Sequence, residues 1–174
     1  MRLLVPFLIS SIFLVLSCTS DKKNKVEDKS SWSMKQSTDF ARQTAEEEEM
    51  AIKLYLKLRE DWNMIKTETG LRYWIYKETN GIKPLPGNTV DVILEVKLLN
   101  DSLCYRTDED MVSTFLVDKS DIETGVQEGI KLMSKGERAK FIIPSRLGHG
   151  LVGDLDKIPP LQVLVVDLHL IDIR

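Results

Sequence analysis

The sequence predicts an α+β fold in which an antiparallel sheet wraps on one short helix and a long helix precedes the sheet. Three observations predict it. Residues 40–66 contain no glycine or proline, which favours a long helix. Residues 90–98 and 163–171 largely alternate apolar with polar side chains, as strands with one buried face do. Between these strands, residues 122–132 place apolar side chains at helical spacing.

The composition is that of a globular protein with additional segments. The chain has 174 residues, of which 43% are hydrophobic and 29% charged, so neither a disordered chain nor a multi-pass membrane protein is expected. The net charge of −3 gives no electrostatic basis for binding nucleic acid. The sequence of residues 125–160 contains no metal-ligand cluster, nucleophile–base pair or phosphate-binding loop, so we expect neither a metal nor a cofactor.

The first residues have the features of a targeting segment. Arg2 supplies a positive charge, and the apolar run over residues 3–16 is too short to span a membrane. The run ends at Ser17 and Cys18, which resembles a bacterial lipobox, where the cysteine is acylated and becomes the first residue of the mature chain. We therefore expect a lipoprotein signal peptide over residues 1–17 and lipidation of Cys18. A plain secretory signal and an uncleaved anchor are the alternatives.

Residues 18–36 are predicted to form a polar tether, because Lys, Ser, Asp and Asn dominate and the apolar content is too low to order them. With acyl chains on Cys18, the protein is expected to be lipid-anchored in the cell envelope and to face the periplasm. Thr19 does not supply an Asp-type signal for inner-membrane retention, so the outer membrane is favoured. Cys104 then has no disulfide partner, and we interpret it as a small strand residue.

A helix is predicted over residues 37–67. Ser37, Thr38 and Asp39 offer side chains that cap a helix N-terminus. The apolar side chains that mark one face are Ile52, Tyr55, Leu56, Leu58, Trp62 and Ile65. This face predicts a helix that packs on its own domain or acts as a rigid spacer; a homodimer formed through the helix is the alternative.

A β-rich domain is predicted over residues 68–174. Residues 71–76 alternate in the manner of a strand, and turn-forming residues dominate 80–88. The strand over 90–98 is followed by a turn and by residues 103–105, which predicts a hairpin.

The rest of the domain is predicted to be one short helix and two strands. Gly136 ends the helical stretch, and residues 139–144 form the next strand. A segment with several glycines, residues 145–162, then leads to the last strand, and we call it the flap. On that strand His169 points away from the core, so we interpret it as a solvated surface residue.

Several motifs occur in order along this domain. They are PLPGNTV over residues 84–90, the spacing of Gly125, Gly129, Met133 and Gly136-Glu137-Arg138, then Ile143-Pro144, Gly150, Gly153 and Ile158-Pro159-Pro160. In this order and spacing they resemble FKBP-type peptidyl-prolyl cis-trans isomerases, across about residues 69–172. The resemblance implies the FKBP fold. With the lipobox and the tether, it extends to the gliding-motility-associated isomerase lipoproteins of the Bacteroidetes.

The resemblance also implies a set of site residues. The positions that match the family's proline pocket are Tyr105, Ile122, Glu123, Val126, His149, Ile158 and Val166. Val126 stands where the family has a Trp floor, and His149 stands where it has a flap Tyr. Arg106 reverses the charge of the family's Asp, and we consider an ion pair between Arg106 and Glu123.

The chemistry of such a site needs no reactive side chain. Rotation about an X–Pro bond breaks amide resonance, so the twisted state is less dipolar than the ground state, and an apolar pocket favours it. The Glu123 N–H is expected to bind a substrate carbonyl. The resemblance therefore implies a membrane-tethered isomerase that assists the folding of proline-containing exported polypeptides, with a link to gliding motility. A non-catalytic chaperone or assembly module that uses the same cleft is the alternative.

Overall fold

A computed structural model describes residues 32–108 and 111–174 of the chain. The elements are, in order, α1 Met34–Lys57, β1 Ile65–Lys66, β2 Arg72–Lys77, β3 Thr89–Leu98, β4 Leu103–Arg106, β5 Ser113–Leu116, α2 Thr124–Ile130, β6 Arg138–Ile143 and β7 Leu164–Ile173. Three predicted features lie outside the described residues: the signal peptide, the lipidation site Cys18 and most of the tether. Within the described ranges, neither helix combines the length and the apolar character that a membrane span needs.

The strands form one antiparallel sheet in the order β1-β2-β6-β7-β3-β4, and β5 pairs with β3 beside β4. The longest pairing runs between β3 and β7, from Val90 opposite Ile173 to Leu98 opposite Leu164. Strands that are distant in sequence are therefore neighbours at the centre of the sheet. The predicted α+β class, with its antiparallel sheet, short helix and N-terminal helix, is confirmed.

The short helix α2 packs closely on one face of β6. A Cβ atom at Gly125 would lie 2.4 Å from the Ile143 Cγ2 atom, and one at Gly129 would lie 2.6 Å from the Phe141 Cε1 atom. Real Cβ atoms do not approach side chains so closely, so a side chain at either position would push the helix off the sheet. The glycine spacing in the sequence thus serves close packing of the helix on the sheet.

The long helix α1 packs on the opposite face of the same strands. Its buried residues Ile52 and Tyr55 form a second apolar cluster with Ile142, Val163 and Val165. The C-terminal half of β6 and the first residues of β7 are therefore buried on both faces, which explains their uninterrupted apolar runs Phe141–Ile143 and Leu164–Val166. The interpretation that the helix packs on its own domain agrees with this cluster, whereas the homodimer stays a prediction.

The prediction of a helix over residues 37–67 was wrong at both ends, since the helix begins at Met34 and Ser37, Thr38 and Asp39 lie within it rather than at its cap. The helix ends at Lys57, and Ile65 instead pairs with Tyr73 in the sheet. The chain turns because Trp62 packs against Tyr55 and Trp74, at 5.9 and 6.3 Å between ring centroids. The absence of glycine and proline permits a longer helix, but these tertiary contacts favour the turn.

Two short strands and the environment of one histidine also differ from the predictions. Strands β1 and β5 were not predicted, because β1 has two residues and β5 buries only Phe115. His169 does lie on the outer face, but it is half-buried rather than fully solvated. Burial, together with the positive charges of Arg138 and Lys77, lowers its pKa.

We predict that Ile52→Ala lowers the free energy of unfolding by about 2–5 kcal/mol, because it opens a cavity between α1 and the sheet. Urea denaturation monitored by circular dichroism measures this change. Lys57→Ala on the same helix is the control, since Lys57 is exposed whereas Ile52 is 1% exposed. Equal effects of the two substitutions would show that α1 does not stabilise the domain through this face.

Candidate functional site

The apolar residues predicted to form a site lie together at one edge of the main core. Val126, Ile158 and Val166 are 3%, 2% and 1% exposed and belong to one buried cluster. Tyr105 on β4 and Ile122 before α2 are half-buried and pack against it. We call these five residues the cleft, because they stand at the positions of the family's proline pocket; the three buried members are its floor and the two half-buried members its walls.

Glu123 brings a backbone donor to the rim of the cleft. It is the residue that precedes α2, with φ −53° and ψ 131°, and its side chain does not cap the helix. Its carbonyl accepts from the N–H groups of Val126 and Gln127, at 2.9 and 3.1 Å. Within residues 32–108 and 111–174, the Glu123 N–H donates no hydrogen bond to a backbone carbonyl. The donor is therefore available to a ligand.

The charged residues near the rim are paired differently from the expectation. Glu123 Oε1 lies 2.9 Å from His149 Nε2, so the flap histidine bridges to the start of α2. Arg106 does not pair with Glu123; its Nε donates to Glu95 Oε2 at 2.6 Å. The physical reason is the sheet register, because Glu95 and Arg106 are direct cross-strand neighbours on β3 and β4.

The base of the flap is held by the N-terminal helix. The carboxylate of Glu48 on α1 is buried and accepts from the backbone N–H of Ser145, at 3.2 Å, and from the Ser145 hydroxyl. Arg146, the next residue, donates to the carbonyl of Thr69. Because a buried carboxylate is stable only when its hydrogen bonds are satisfied, these contacts fix where the flap leaves the sheet.

Asp154 in the flap is a residue that the sequence reasoning missed. Its carboxylate accepts from the Tyr105 hydroxyl and from the N–H groups of Asp156 and Ile158, the latter two at 2.9 and 2.7 Å. Although desolvation raises the pKa of Asp154, the hydrogen bond from Tyr105 and the two backbone bonds lower it to about 2. The bond to Asp154 raises the pKa of Tyr105 to about 12. An Asp followed by turn residues and a buried Ile was the available signal.

Two further residues near the cleft have packing roles. Cys104 is buried in β4, and burial raises the pKa of its thiol. Leu94 on β3 is half-buried and packs against the main core. In the described part of the chain, no three His, Cys, Asp or Glu side chains are grouped to hold a metal ion.

Comparisons with known proteins agree with this geometry. A family profile described as FKBP-type peptidyl-prolyl cis-trans isomerase matches residues 80–171. The chain is similar to the probable FKBP-type isomerase FkpA of Neisseria meningitidis serogroup B, with 33% identity over 107 residues. That match covers 62% of this chain and 39% of the relative, so the chain spans well under two thirds of that protein.

A second curated relative is covered over most of its length. FK506-binding protein 2 of Dictyostelium discoideum is 31% identical over 110 residues, which are 63% of this chain and 81% of that protein. Among solved structures, the crystal structure of FkpA from Escherichia coli matches with a TM-score of 0.65 and 25% identity. It covers 80% of this chain and 64% of that chain. Because the family profile matches more than half of this chain, the chain belongs to the FKBP-type peptidyl-prolyl cis-trans isomerase family.

Proposed function

We propose that the protein is a peptidyl-prolyl cis-trans isomerase that acts on proline-containing exported polypeptides. Membership of the isomerase family supports the reaction. The observation that carries the proposal is the free N–H of Glu123 at the rim of an apolar floor made by Val126, Ile158 and Val166. An apolar ring and a carbonyl next to it are the two groups that such a site accommodates.

The catalytic effect follows from solvation. An X–Pro bond rotates over a barrier of about 18–20 kcal/mol, largely because the planar imide is stabilised by resonance. Water stabilises the dipolar planar form more than the twisted form. A cleft that replaces water by Tyr105, Ile122 and the apolar floor therefore favours the twisted state. No proton needs to be transferred.

Each residue then has a physical role. The floor residues receive the proline ring, and Tyr105 and Ile122 limit its lateral movement. The Glu123 N–H donates to a substrate carbonyl and holds the chain while the bond rotates. His149 contributes through its contact with the Glu123 carboxylate, which ties the flap to the start of α2.

A non-catalytic chaperone or assembly module remains a second candidate, and one observation favours it. The three floor residues are almost completely buried, so only a small part of the floor is exposed to a proline ring. A cleft that opens partially would bind unfolded chains through its half-buried walls without twisting the imide. Activity on a short proline peptide distinguishes the two functions.

We predict that Glu123→Pro lowers kcat/KM for a proline-containing peptide by about tenfold, the value of one hydrogen bond of about 1 kcal/mol or slightly more. Proline removes the N–H, and its fixed φ of about −65° fits the φ of −53° at this position. A protease-coupled peptide assay measures the rate.

Glu123→Ala is the matched variant, because it removes the same carboxylate and keeps the N–H. We expect it to lose less than about threefold, since only the contact with His149 disappears. Equal activity of the Pro and Ala variants would contradict a role for the backbone donor. A wild-type rate equal to uncatalysed exchange, with retained binding to unfolded chains, would favour the chaperone.

We further propose that the protein acts in the cell envelope, anchored through lipid on Cys18 and facing the periplasm, with the outer membrane favoured over the inner. The apolar run over residues 3–16 and the polar segment over 18–36 support this proposal. The resemblance to gliding-motility lipoproteins adds a proposed role in folding envelope proteins that motility requires. Spreading of cells that lack the gene tests that role.

We predict that Cys18→Ser moves the protein from the membrane fraction to the soluble fraction of lysed cells and abolishes labelling with a radioactive fatty acid. The reason is that the acyl chains supply the membrane affinity. Cys104→Ser is the matched control, because Cys104 is the other cysteine in the chain. Membrane association and labelling that persist in Cys18→Ser would contradict the lipid anchor.

We also propose that α1 mediates a homodimer. Met50 and Leu54 on α1 and Leu58 directly after it are spaced by four residues and are 59%, 60% and 83% exposed, so they form an apolar stripe that the sheet does not cover. We predict that Leu54→Glu converts a dimer into a monomer in sedimentation velocity. A wild-type chain that sediments as a monomer at all concentrations would contradict this proposal.

A further inference from the structure

We propose that Asp154 is a positioning residue of the cleft, which holds the wall residue Tyr105 and the floor residue Ile158 in fixed relative positions. Its catalytic consequence rests on the proposed isomerase function, whereas its structural consequence does not. The proposal is based on hydrogen bonds that Asp154 makes in two directions: within the flap and across to β4.

Within the flap, Asp154 closes a compact loop over residues 154–158. Its Oδ1 atom accepts from the N–H of Asp156 at 2.9 Å and from the N–H of Ile158 at 2.7 Å. Its own N–H donates to the carbonyl of Ile158 at 3.0 Å. The side chain therefore fixes the backbone of the loop at the residue whose side chain reaches the floor.

A glycine next to Asp154 allows this loop to close. Gly153 has φ +72°, and a Cβ atom there would lie 2.2 Å from the Ile158 carbonyl oxygen. Only a residue without a side chain fits this approach of two backbone segments. The conformation of the loop is thus specified by Gly153 and Asp154 together.

Across the cleft, contacts from Asp154, Asp156 and Lys157 attach the same loop to β4. The Tyr105 hydroxyl donates to Asp154 Oδ2, and the Cys104 thiol lies 3.8 Å from the Lys157 carbonyl. The Lys157 ammonium lies 4.8 Å from the centre of the Tyr105 ring. The bond to Asp154 has a charged acceptor, and charge-assisted hydrogen bonds are the strongest kind, whereas the Asp156 carboxylate lies 3.5 Å from the same hydroxyl, at the limit of hydrogen bonding.

Asp154 therefore links the two sides of the cleft through one carboxylate. One oxygen holds the flap backbone beside Ile158, and the other holds the Tyr105 hydroxyl. Without the carboxylate, the phenol ring and the flap are free to move apart. A looser cleft binds the proline ring less well in the ground state and in the twisted state alike, which raises KM and leaves kcat nearly unchanged.

Asp156 offers a matched control in the same loop. Its Oδ2 atom is 3.5 Å from the Tyr105 hydroxyl, at the limit of hydrogen bonding, and the residue is exposed. Removing its side chain changes the charge of the flap by the same amount as removing that of Asp154. It leaves the closure of the loop and the bond to Tyr105 in place.

The experiment compares Asp154→Ala, Asp156→Ala, Tyr105→Phe and the Asp154→Ala/Tyr105→Phe double variant in the full chain purified in detergent. We expect Asp154→Ala to raise KM about tenfold with kcat within about twofold, and Asp156→Ala to change either by less than about twofold. In the Asp154→Ala background, Tyr105→Phe is expected to cost nothing further, because the bond is already lost. Far-UV circular dichroism checks that each variant is folded.

Nuclear magnetic resonance gives a readout that is independent of turnover. The ring signals of Tyr105 and the methyl signals of Ile158 are expected to shift and broaden in Asp154→Ala and to stay unchanged in Asp156→Ala. Signals that do not move in Asp154→Ala, equal kinetic effects of the two alanine variants, or a fall in kcat at constant KM would each overturn the proposal. If the wild-type chain shows no turnover, the proposed function fails, and these signals alone decide the role of Asp154.

Discussion

Burial of the C-terminal half of β6 and the first residues of β7 on both faces is the constraint on which the rest of the structure depends. Phe141 and Val166 face the main core under α2, whereas Ile142 and Val165 face α1. Hydrophobic burial on two sides requires both helices to stay packed on the sheet. Because α1 is held there, its Glu48 can accept from the residue that starts the flap. The same packing that stabilises the domain therefore positions one side of the cleft.

The sequence predicts those parts of the fold whose signal is local. The alternation along β3 and β7 and the spacing of Gly125 and Gly129 each correspond to an observed element. The two glycines are required because a Cβ atom at either position would lie less than 3 Å from a side chain of β6. The end of α1 could not be predicted in this way, because it depends on Trp62 packing against side chains of two other elements. Strand β5 was not predicted, because four residues with one buried side chain show almost no alternation of apolar and polar residues.

At the site, too, the apolar residues could be predicted from the sequence, whereas side-chain partners from other strands could not. Its apolar residues were predicted through a family resemblance, and the structure brings them together with the backbone donor of Glu123. The partner of Arg106 was mistaken, since Glu95 becomes its neighbour only through the register of β3 and β4. Asp154 was missed, since its importance comes from the shape of a loop and from a tyrosine on another strand. Apolar composition is readable from the sequence, but hydrogen bonds across the cleft are not.

We propose that this cleft twists a prolyl bond while the Glu123 N–H holds the substrate. Exchange spectroscopy on a proline peptide, with the Glu123 amide signal followed in the same sample, tests it most directly. We predict cis–trans exchange much faster than the uncatalysed time of about 10–100 s, together with a shift of that amide signal. Exchange at the uncatalysed rate, or catalysis with an unperturbed Glu123 amide, would contradict it.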